Sequence, residues 1–172
     1  AGMEGTRPLL VEIQALISPS PLGTPRRTVV GWDSGRLAMV LAVLETRCGL
    51  PTAGNDVYLN VAGGLRVGEP AADFAVAAAL VSALTGEPVP SDTAVFGEIG
   101  LTGEVRPVGQ TEPRIREASK LGFSRVWMPK SVGKSNVKND KNGKVAAARS
   151  EFSHLTELMP LFHATTNAPR RR

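Results

Sequence analysis

The chain has 172 residues, of which 42% are hydrophobic and 21% are charged, and this is enough for one domain with its own core. No apolar run approaches the roughly 20 residues that a membrane span needs. The single cysteine, Cys48, can form neither an internal disulfide nor a cysteine-based zinc site, which favours a reducing cytoplasm. The net charge of +4 is uneven, since residues 1–120 carry 10 Lys/Arg and 13 Asp/Glu whereas residues 121–172 carry 10 and 3. This asymmetry favours either an anionic partner near the C-terminal third or a solvated loop and tail.

In chain order, strands are predicted where branched and aromatic residues cluster or alternate, at residues 9–17, 28–32, 56–62, 93–96 and 125–128. Helices are predicted at residues 36–46, capped by Asp33 or Ser34, and at residues 71–84, 113–121 and about 154–160. The remaining predictions are a hairpin or glycine-rich loop at residues 97–105, a basic surface loop at 131–144 and a disordered basic tail at 167–172. This mixture without repeats indicates one α/β (α+β) domain over residues 1–166.

Three features look functional but lack the pattern that the function needs. Residues 133–135, Gly-Lys-Ser, resemble the end of a phosphate-binding loop, but Met128 stands where that loop requires its first glycine. The glycines within residues 97–103 have the wrong spacing for a dinucleotide fingerprint. His154 and His163 have no ligand-like neighbours in the sequence, which favours surface or packing roles over metal binding.

Residues 57–129 are similar to the proteolytic domain of Lon proteases. The match is carried by residues 79–89, Ala-Leu-Val-Ser-Ala-Leu-Thr-Gly-Glu-Pro-Val, and by residues 97–109, Gly-Glu-Ile-Gly-Leu-Thr-Gly-Glu-Val-Arg-Pro-Val-Gly. This resemblance implies a Lon-protease-like domain of the ribosomal protein S5 domain 2-like type. Aligned without gaps, Lon's nucleophilic serine falls on Ala71, and its catalytic lysine, 43 positions later, falls on Arg114.

Both substitutions remove the chemistry of the Lon dyad. Ala71 has no oxygen to attack a carbonyl, and Arg114 holds its proton too tightly to act as a general base. Glu69 and Asp73 also depart from the small residues of the Lon segment, so we expect no catalytic residue in this chain. The alternative is a Lon-type serine peptidase that uses Ser82, on the same helical face about three turns away, although no lysine is obviously placed for it.

The RadA (Sms) family of bacterial DNA-repair ATPases explains these departures, since its members resemble the chain over almost its full length. The resemblance lies in residues 5–16, 25–27, 31–39 and 95–108. It implies a hexameric ring that promotes branch migration on DNA in recombination, with this domain as scaffold and DNA-binding surface. Other recombination proteins are further partners, and no membrane is involved. ATP, magnesium and zinc would belong to a RecA-like ATPase and a zinc motif that this chain lacks, so no cofactor is expected here.

The basic segment of residues 130–149 is the candidate nucleic-acid site, with six Lys/Arg against one acid. Spaced cations in a turn-rich loop suit phosphate contact without base readout, and the absence of aromatic residues there argues against stacking. A solubilising loop and a protein-interaction scaffold without a nucleic-acid role are the alternatives. The candidate residues are Lys130, Lys134, Lys138, Lys141, Lys144 and Arg149, followed by Arg26, Arg27 and residues 170–172.

Overall fold

The computed structural model describes residues 1–21, 23–130 and 147–163. The strands in these ranges are β1 (Gly2–Glu4), β2 (Arg7–Leu9), β3 (Ile13–Pro19), β4 (Arg27–Val30), β5 (Asn55–Val61), β6 (Thr93–Val95), β7 (Glu98–Ile99), β8 (Val105–Arg106), β9 (Arg125–Pro129) and β10 (Ala148–Phe152). The helices are α1 (Ser34–Cys48), α2 (Asp73–Thr85), α3 (Thr111–Lys120) and α4 (Met159–His163). Short 3-10 turns lie at Ala62–Gly64, Pro70–Ala72 and Leu155–Leu158. None of the helices described has the length and hydrophobicity to cross a bilayer.

The described strands form two three-stranded sheets and two small hairpins. In the first sheet, of order β3-β5-β4, β3 is antiparallel and β4 parallel to the central strand. The second sheet, of order β10-β9-β6, is parallel throughout. The hairpins pair β1 with β2 and β7 with β8. Parallel and antiparallel pairing combined with helices confirms the predicted α/β (α+β) class.

Helix α2 lies in the main hydrophobic core because it is apolar on nearly every side, and seven of its 13 residues are buried. Beside it, the ring of Phe152 lies 5.2 Å from that of Phe74 and 5.9 Å from that of Trp127, measured between centroids. Side chains alternate along β9, so Trp127 faces this core whereas Val126 and Met128 face a second core that α3 covers. The parallel sheet thus separates α2 from α3.

Helix α1 begins and ends with the residues that its sequence signals indicate. Asp33, and not Ser34, is its N-cap, since the carboxylate accepts the backbone N–H of Arg36 at 2.7 Å. Gly49 ends the helix in the left-handed conformation, with φ of 68°. This placement brings the Arg36 side chain to Asp73 at the start of α2.

Several element boundaries differ from the predicted ones. The strand predicted at residues 9–17 divides between β2 and β3, because its two parts pair with different strands, which residue alternation does not reveal. The helix predicted at residues 71–84 begins at Asp73, because the preceding residues form a tighter 3-10 turn. Pro113 is the third residue of α3 and not its first. The helix predicted near residues 154–160 is a 3-10 turn followed by α4.

Strand β10 was not predicted at all, because its sequence Ala-Arg-Ser-Glu-Phe is largely polar. It lies at the edge of its sheet and leaves three of its five residues exposed. The basic loop predicted over residues 130–149 therefore overlaps a strand at its C-terminal end. Residues 131–146, which include the Gly-Lys-Ser motif, and the predicted tail at 167–172 lie outside the described residues.

Candidate functional site

The two positions that the sequence resemblance aligns with Lon's catalytic dyad are both inside the protein. Ala71 lies in the 3-10 turn before α2, and Arg114 lies in the first half of α3. Each is only 3% exposed. If the alignment with Lon is correct, a buried methyl group and a buried guanidinium replace the hydroxyl and the amine of the dyad.

Arg114 forms a two-pronged ion pair with Glu69. Its Nη1 donates to Oε1 at 2.9 Å, and its Nη2 donates to Oε2 at 2.6 Å. The guanidinium also donates to two backbone carbonyls, Gly109 O at 3.1 Å and Ala1 O at 2.9 Å, and it lies 5.8 Å from the ring centroid of Phe96. Because an arginine keeps its proton, a guanidinium held by these acceptors ties segments together and does not remove protons.

The same ion pair holds the first strand of the chain. While Arg114 donates to Ala1 O, Glu69 Oε1 accepts the backbone N–H of Met3 at 2.7 Å. A Cβ atom on Gly2 would lie only 3.0 Å from that carboxylate oxygen, so the close approach favours glycine at this position. The pair therefore fastens β1 to α3 and to the segment before α2.

The segment that carries Ala71 is fixed from the other side by the glycine-rich hairpin of β7 and β8. Gly97 N–H donates to Ala71 O at 2.8 Å, and Phe74 N–H donates to Gly97 O at 3.0 Å. These two bonds join the 3-10 turn, the start of α2 and the hairpin into one unit. The predicted hairpin at residues 97–105 is confirmed, and its role is to position this turn.

Asp73, which is fully buried, adds a second ion pair at the start of α2. It accepts the N–H of Ile99 at 3.2 Å and the Nε–H of Arg36 at 2.9 Å. The hydrogen bond to Asp73 raises the pKa of Arg36 above its usual value. Both acidic departures from the Lon pattern are thus paired with an arginine.

His154 stabilises the tip of the hairpin. Its Nε2 lies 2.8 Å from Thr102 O, and its Nδ1 accepts the N–H of Thr156 in the following 3-10 turn. Gly103 has φ of 92°, and a Cβ atom there would lie 2.7 Å from the imidazole ring. Within the described ranges, no three His, Cys, Asp or Glu side chains are grouped so that they could hold a metal ion.

Two of the six candidate nucleic-acid residues lie in the described part of the chain. Lys130 is exposed directly after β9, and its backbone N–H donates to Phe152 O at 2.9 Å. Arg149 is not in a loop as predicted but in β10, where its guanidinium donates to Glu112 at 2.8 and 3.1 Å. Its side chain is only 17% exposed, so this arginine is engaged within the domain. Lys134, Lys138, Lys141 and Lys144 lie outside the described residues.

The next candidates in the sequence, Arg26 and Arg27, also have contacts within the domain. Arg27 donates to Thr52 O at 3.0 Å and to Asn55 O, which ties β4 to the loop before β5. The backbone N–H of Arg26 donates to the carboxylate of Asp56 at 2.8 Å, and this bond helps to lower the pKa of Asp56. Arg27 therefore contributes to the fold, and the residue is also exposed.

The partnership of Glu69 with Arg114 was not predicted from the sequence. The available signal was that an acidic residue and an arginine both replace the residue types expected in a Lon protease. When an acidic and a basic residue replace the expected residues at two positions of one site, they indicate an ion pair in which each charge compensates the other. The same reasoning would have paired Asp73 with a nearby arginine.

Comparison with known proteins places this geometry in context. Residues 52–147 match the family model described as Lon protease (S16) C-terminal proteolytic domain. The DNA repair protein RadA of Brucella abortus is 63% identical over 77% of this chain and 28% of its own length. The RadA protein of Rickettsia bellii is 56% identical over 92% of this chain and 33% of its own length. That of Listeria monocytogenes is 43% identical over 93% of this chain and 35% of its own length. The chain thus spans about a third of the length of these curated relatives.

Proposed function

The chain belongs to the family of Lon protease C-terminal proteolytic domains, and we propose that it serves DNA repair as a member of that family without peptidase activity. The observation that carries the proposal is the ion pair of Glu69 with Arg114 beside the buried methyl group of Ala71. In this form the dyad site is a structural tie between β1, α2 and α3. The similarity of the chain to RadA proteins supports the assignment to DNA repair.

A serine peptidase based on Ser82 has little physical support. Ser82 lies near the C-terminal end of α2 and lines a groove together with small apolar residues. Among the described residues that line this groove there is no lysine or histidine to accept the proton of a serine hydroxyl. We therefore do not assign Ser82 a catalytic role.

Degradation of casein by the purified chain tests the absence of peptidase activity. We expect no cleavage above that of a buffer control, and no change on substitution Ser82→Ala. Cleavage that copurifies with the chain and is lost in Ser82→Ala would establish the alternative peptidase.

We further propose that the domain acts as the scaffold of a hexameric ring and as part of a DNA-binding surface in branch migration. The support comes from the relatives' name as DNA repair proteins and from the charge of residues 121–172, which carry 10 Lys/Arg against 3 Asp/Glu. Phosphate contact by such residues needs no particular base sequence. Because Arg149 is paired with Glu112, the lysines are the candidates to test first for this contact.

Binding of DNA as a function of salt concentration tests the nucleic-acid proposal. We expect the combined change of Lys134, Lys138, Lys141 and Lys144 to Ala to weaken binding to any sequence equally and to lower the slope of log K against log salt by up to about 4. The charge-matched control replaces four exposed arginines of the described region, Arg7, Arg47, Arg66 and Arg116. Equal losses in both variants would show a general charge effect and contradict a site at the lysines.

Light scattering with mass analysis tests the ring. We expect the mass to rise with concentration toward six copies, and only weakly because the chain spans about a third of the length of its relatives. A monomer at all concentrations would contradict the scaffold role. Assembly without any salt-dependent DNA binding would instead favour a protein-interaction scaffold.

A further inference from the structure

The tip of the β7–β8 hairpin presents an apolar side chain to solvent. Leu101 is 69% exposed, the largest value among the exposed large hydrophobic residues that the structure describes. The main chain around it is nevertheless held in place. Gly103 N–H donates to Gly100 O at 2.9 Å, Leu155 N–H donates to Gly103 O at 2.8 Å, and His154 adds a third contact. A leucine directed outward from an ordered turn is suited to binding, because the turn has little conformational entropy left to lose on contact.

A groove of about 670 Å³ lies on another part of the surface. Its wall is the small-residue face of α2, and its rim includes residues 88–91 and Phe123. No residue of the β7–β8 hairpin lines it, so the hairpin does not fill the groove of its own molecule. Alanines recur along the wall at helical spacing, which leaves room for a larger apolar side chain. They are Ala72, Ala75, Ala79 and Ala83.

The groove also contains a buried polar atom without a partner. Thr93 is a buried residue that lines the groove, and its hydroxyl has no hydrogen bond within the described residues. Because a buried hydroxyl is unfavourable without a partner, this atom indicates a ligand that supplies an acceptor. The hairpin tip carries one, since the carbonyl of Leu101 makes no hydrogen bond to the rest of the described chain.

The surroundings of the hairpin tip and of the groove differ in charge. Beside the tip, Arg47 is exposed, and its Cβ would lie 3.4 Å from a Cβ atom on Gly103, whereas the acidic residues of the hairpin are paired with Arg106. Glu12 lines the groove, and Glu87 directly precedes its rim. Neither these two acids nor Arg47 has an ion pair in the described part of the chain, and no described lysine or arginine lines the groove. The free charges therefore favour contact between the two surfaces.

We propose that the hairpin tip of one copy of this chain docks in the groove of the next copy, with Leu101 against the alanine wall of α2. In this contact the Thr93 hydroxyl donates to the carbonyl of Leu101, and Arg47 faces the acidic rim. The contact joins two different surfaces, so it repeats from copy to copy and closes into a ring, whereas a contact between identical surfaces stops at a dimer. The inference rests on the proposed ring and assigns the surfaces that meet in it.

Disulfide cross-linking between two single-cysteine variants tests which surfaces meet, in a Cys48→Ser background that removes the natural thiol. One variant carries Leu101→Cys and the other carries Ala79→Cys. We expect mild oxidation of their mixture to give a cross-linked dimer that reduction reverses. Either variant alone should give about tenfold less, because identical surfaces do not meet in a head-to-tail contact. The matched control mixes Leu101→Cys with Thr28→Cys, an exposed position on β4, and should give no more than the single variants.

The failure of this inference can be distinguished from the failure of the proposed ring. Equal cross-linking of Leu101→Cys with Ala79→Cys and with Thr28→Cys would overturn the inference. So would the absence of cross-links in a chain that light scattering shows to be assembled, and the ring itself would then stand. A monomer at every concentration would contradict both.

A second pair of variants needs no cysteine. Leu101→Ser should weaken self-association in light scattering by about tenfold or more, since one leucine side chain is lost from the contact. Leu121→Ser is the matched control, because Leu121 is 55% exposed and lies neither in the hairpin nor among the residues that line the groove. Both leucines are exposed, so circular dichroism should show an unchanged fold in each variant. Equal association of the two variants would contradict the docking of Leu101.

Discussion

Removal of the Glu69 carboxylate should destabilise the domain strongly, although this residue is itself partly exposed. The Arg114 side chain is only 4% exposed and has Glu69 as its ion-pair partner in the described structure. Glu69→Ala therefore leaves a guanidinium buried without a counter-charge, and breaking a buried pair in this way costs about 3–5 kcal/mol. For a domain of this size such a loss lowers the Tm by roughly 6–20 °C.

Thermal and urea unfolding, followed by circular dichroism, measure this loss, and Glu112→Ala is the matched control. Glu112 also pairs with an arginine, Arg149, but both side chains of this pair are more exposed, 60% and 17% against 23% and 4%, so water can solvate the arginine left behind and the loss should cost about 1 kcal/mol or less. The double variant Glu69→Ala/Arg114→Met removes both charges. It should be less destabilised than the sum of the two single variants by about 2 kcal/mol. A cost for Glu69→Ala no larger than that for Glu112→Ala would refute the structural role of the pair.

Three further predictions use other contacts around the site. Asp73→Ala should lower the free energy of unfolding in urea by about 1–3 kcal/mol, because the amide of Ile99 in β7 loses its acceptor. Asp73→Asn should recover at least half of that loss, since its side chain keeps an oxygen there. Equal losses in the two variants would contradict this hydrogen bond. Gly103→Ala should cost about 1–3 kcal/mol because of its positive φ and the nearby imidazole, whereas Gly109→Ala, where a Cβ meets no atom, should be nearly neutral. The hydrogen bond from the Thr102 hydroxyl lowers the pKa of Glu104 from its usual value of 4.5 to about 2, so this carboxylate adds stability that is complete above pH 4.5 and is lost as the pH falls toward 2. NMR titration should find this low pKa and a higher one in Thr102→Val, and a pKa near 4.5 in the unsubstituted chain would contradict the contact.

Local sequence signals predicted the helices and most strands well, because the responsible interactions are local. Asp33 caps α1 three residues before the amide that it binds, and the apolar run of α2 identifies a helix that is buried on most sides. The edge strand β10 was missed for the opposite reason. Its polar sequence is stabilised by pairing with β9, which no signal within residues 148–152 shows.

The sequence predicted that catalytic side chains are missing from the site, and the structure shows an ion pair of Glu69 with Arg114 there. The resemblance to Lon predicted that Ala71 and Arg114 occupy the dyad positions, where neither residue could perform the dyad chemistry, and both positions fall within the range that matches the Lon family model. It did not show what Arg114 does, because its partner Glu69 lies 45 residues away and the contact depends on how α3 packs. Arg149 shows the same limit, since the sequence did not predict its contact with Glu112, and its contact with phosphate stays a prediction. The binding role of the lysines within residues 131–146 stays a prediction.

A covalent serine probe tests most directly whether the dyad site has a structural and not a catalytic role. The probe is applied to the double variant Ala71→Ser/Arg114→Lys and to the unsubstituted chain. We expect neither protein to be labelled. The unsubstituted chain lacks a nucleophile at position 71, and in the double variant the Glu69 carboxylate would keep the new lysine protonated and unable to act as a base. Labelling of the unsubstituted chain would contradict the absence of peptidase chemistry. Labelling of the double variant at a rate unaffected by a further Glu69→Gln change would show that Glu69 does not control this site.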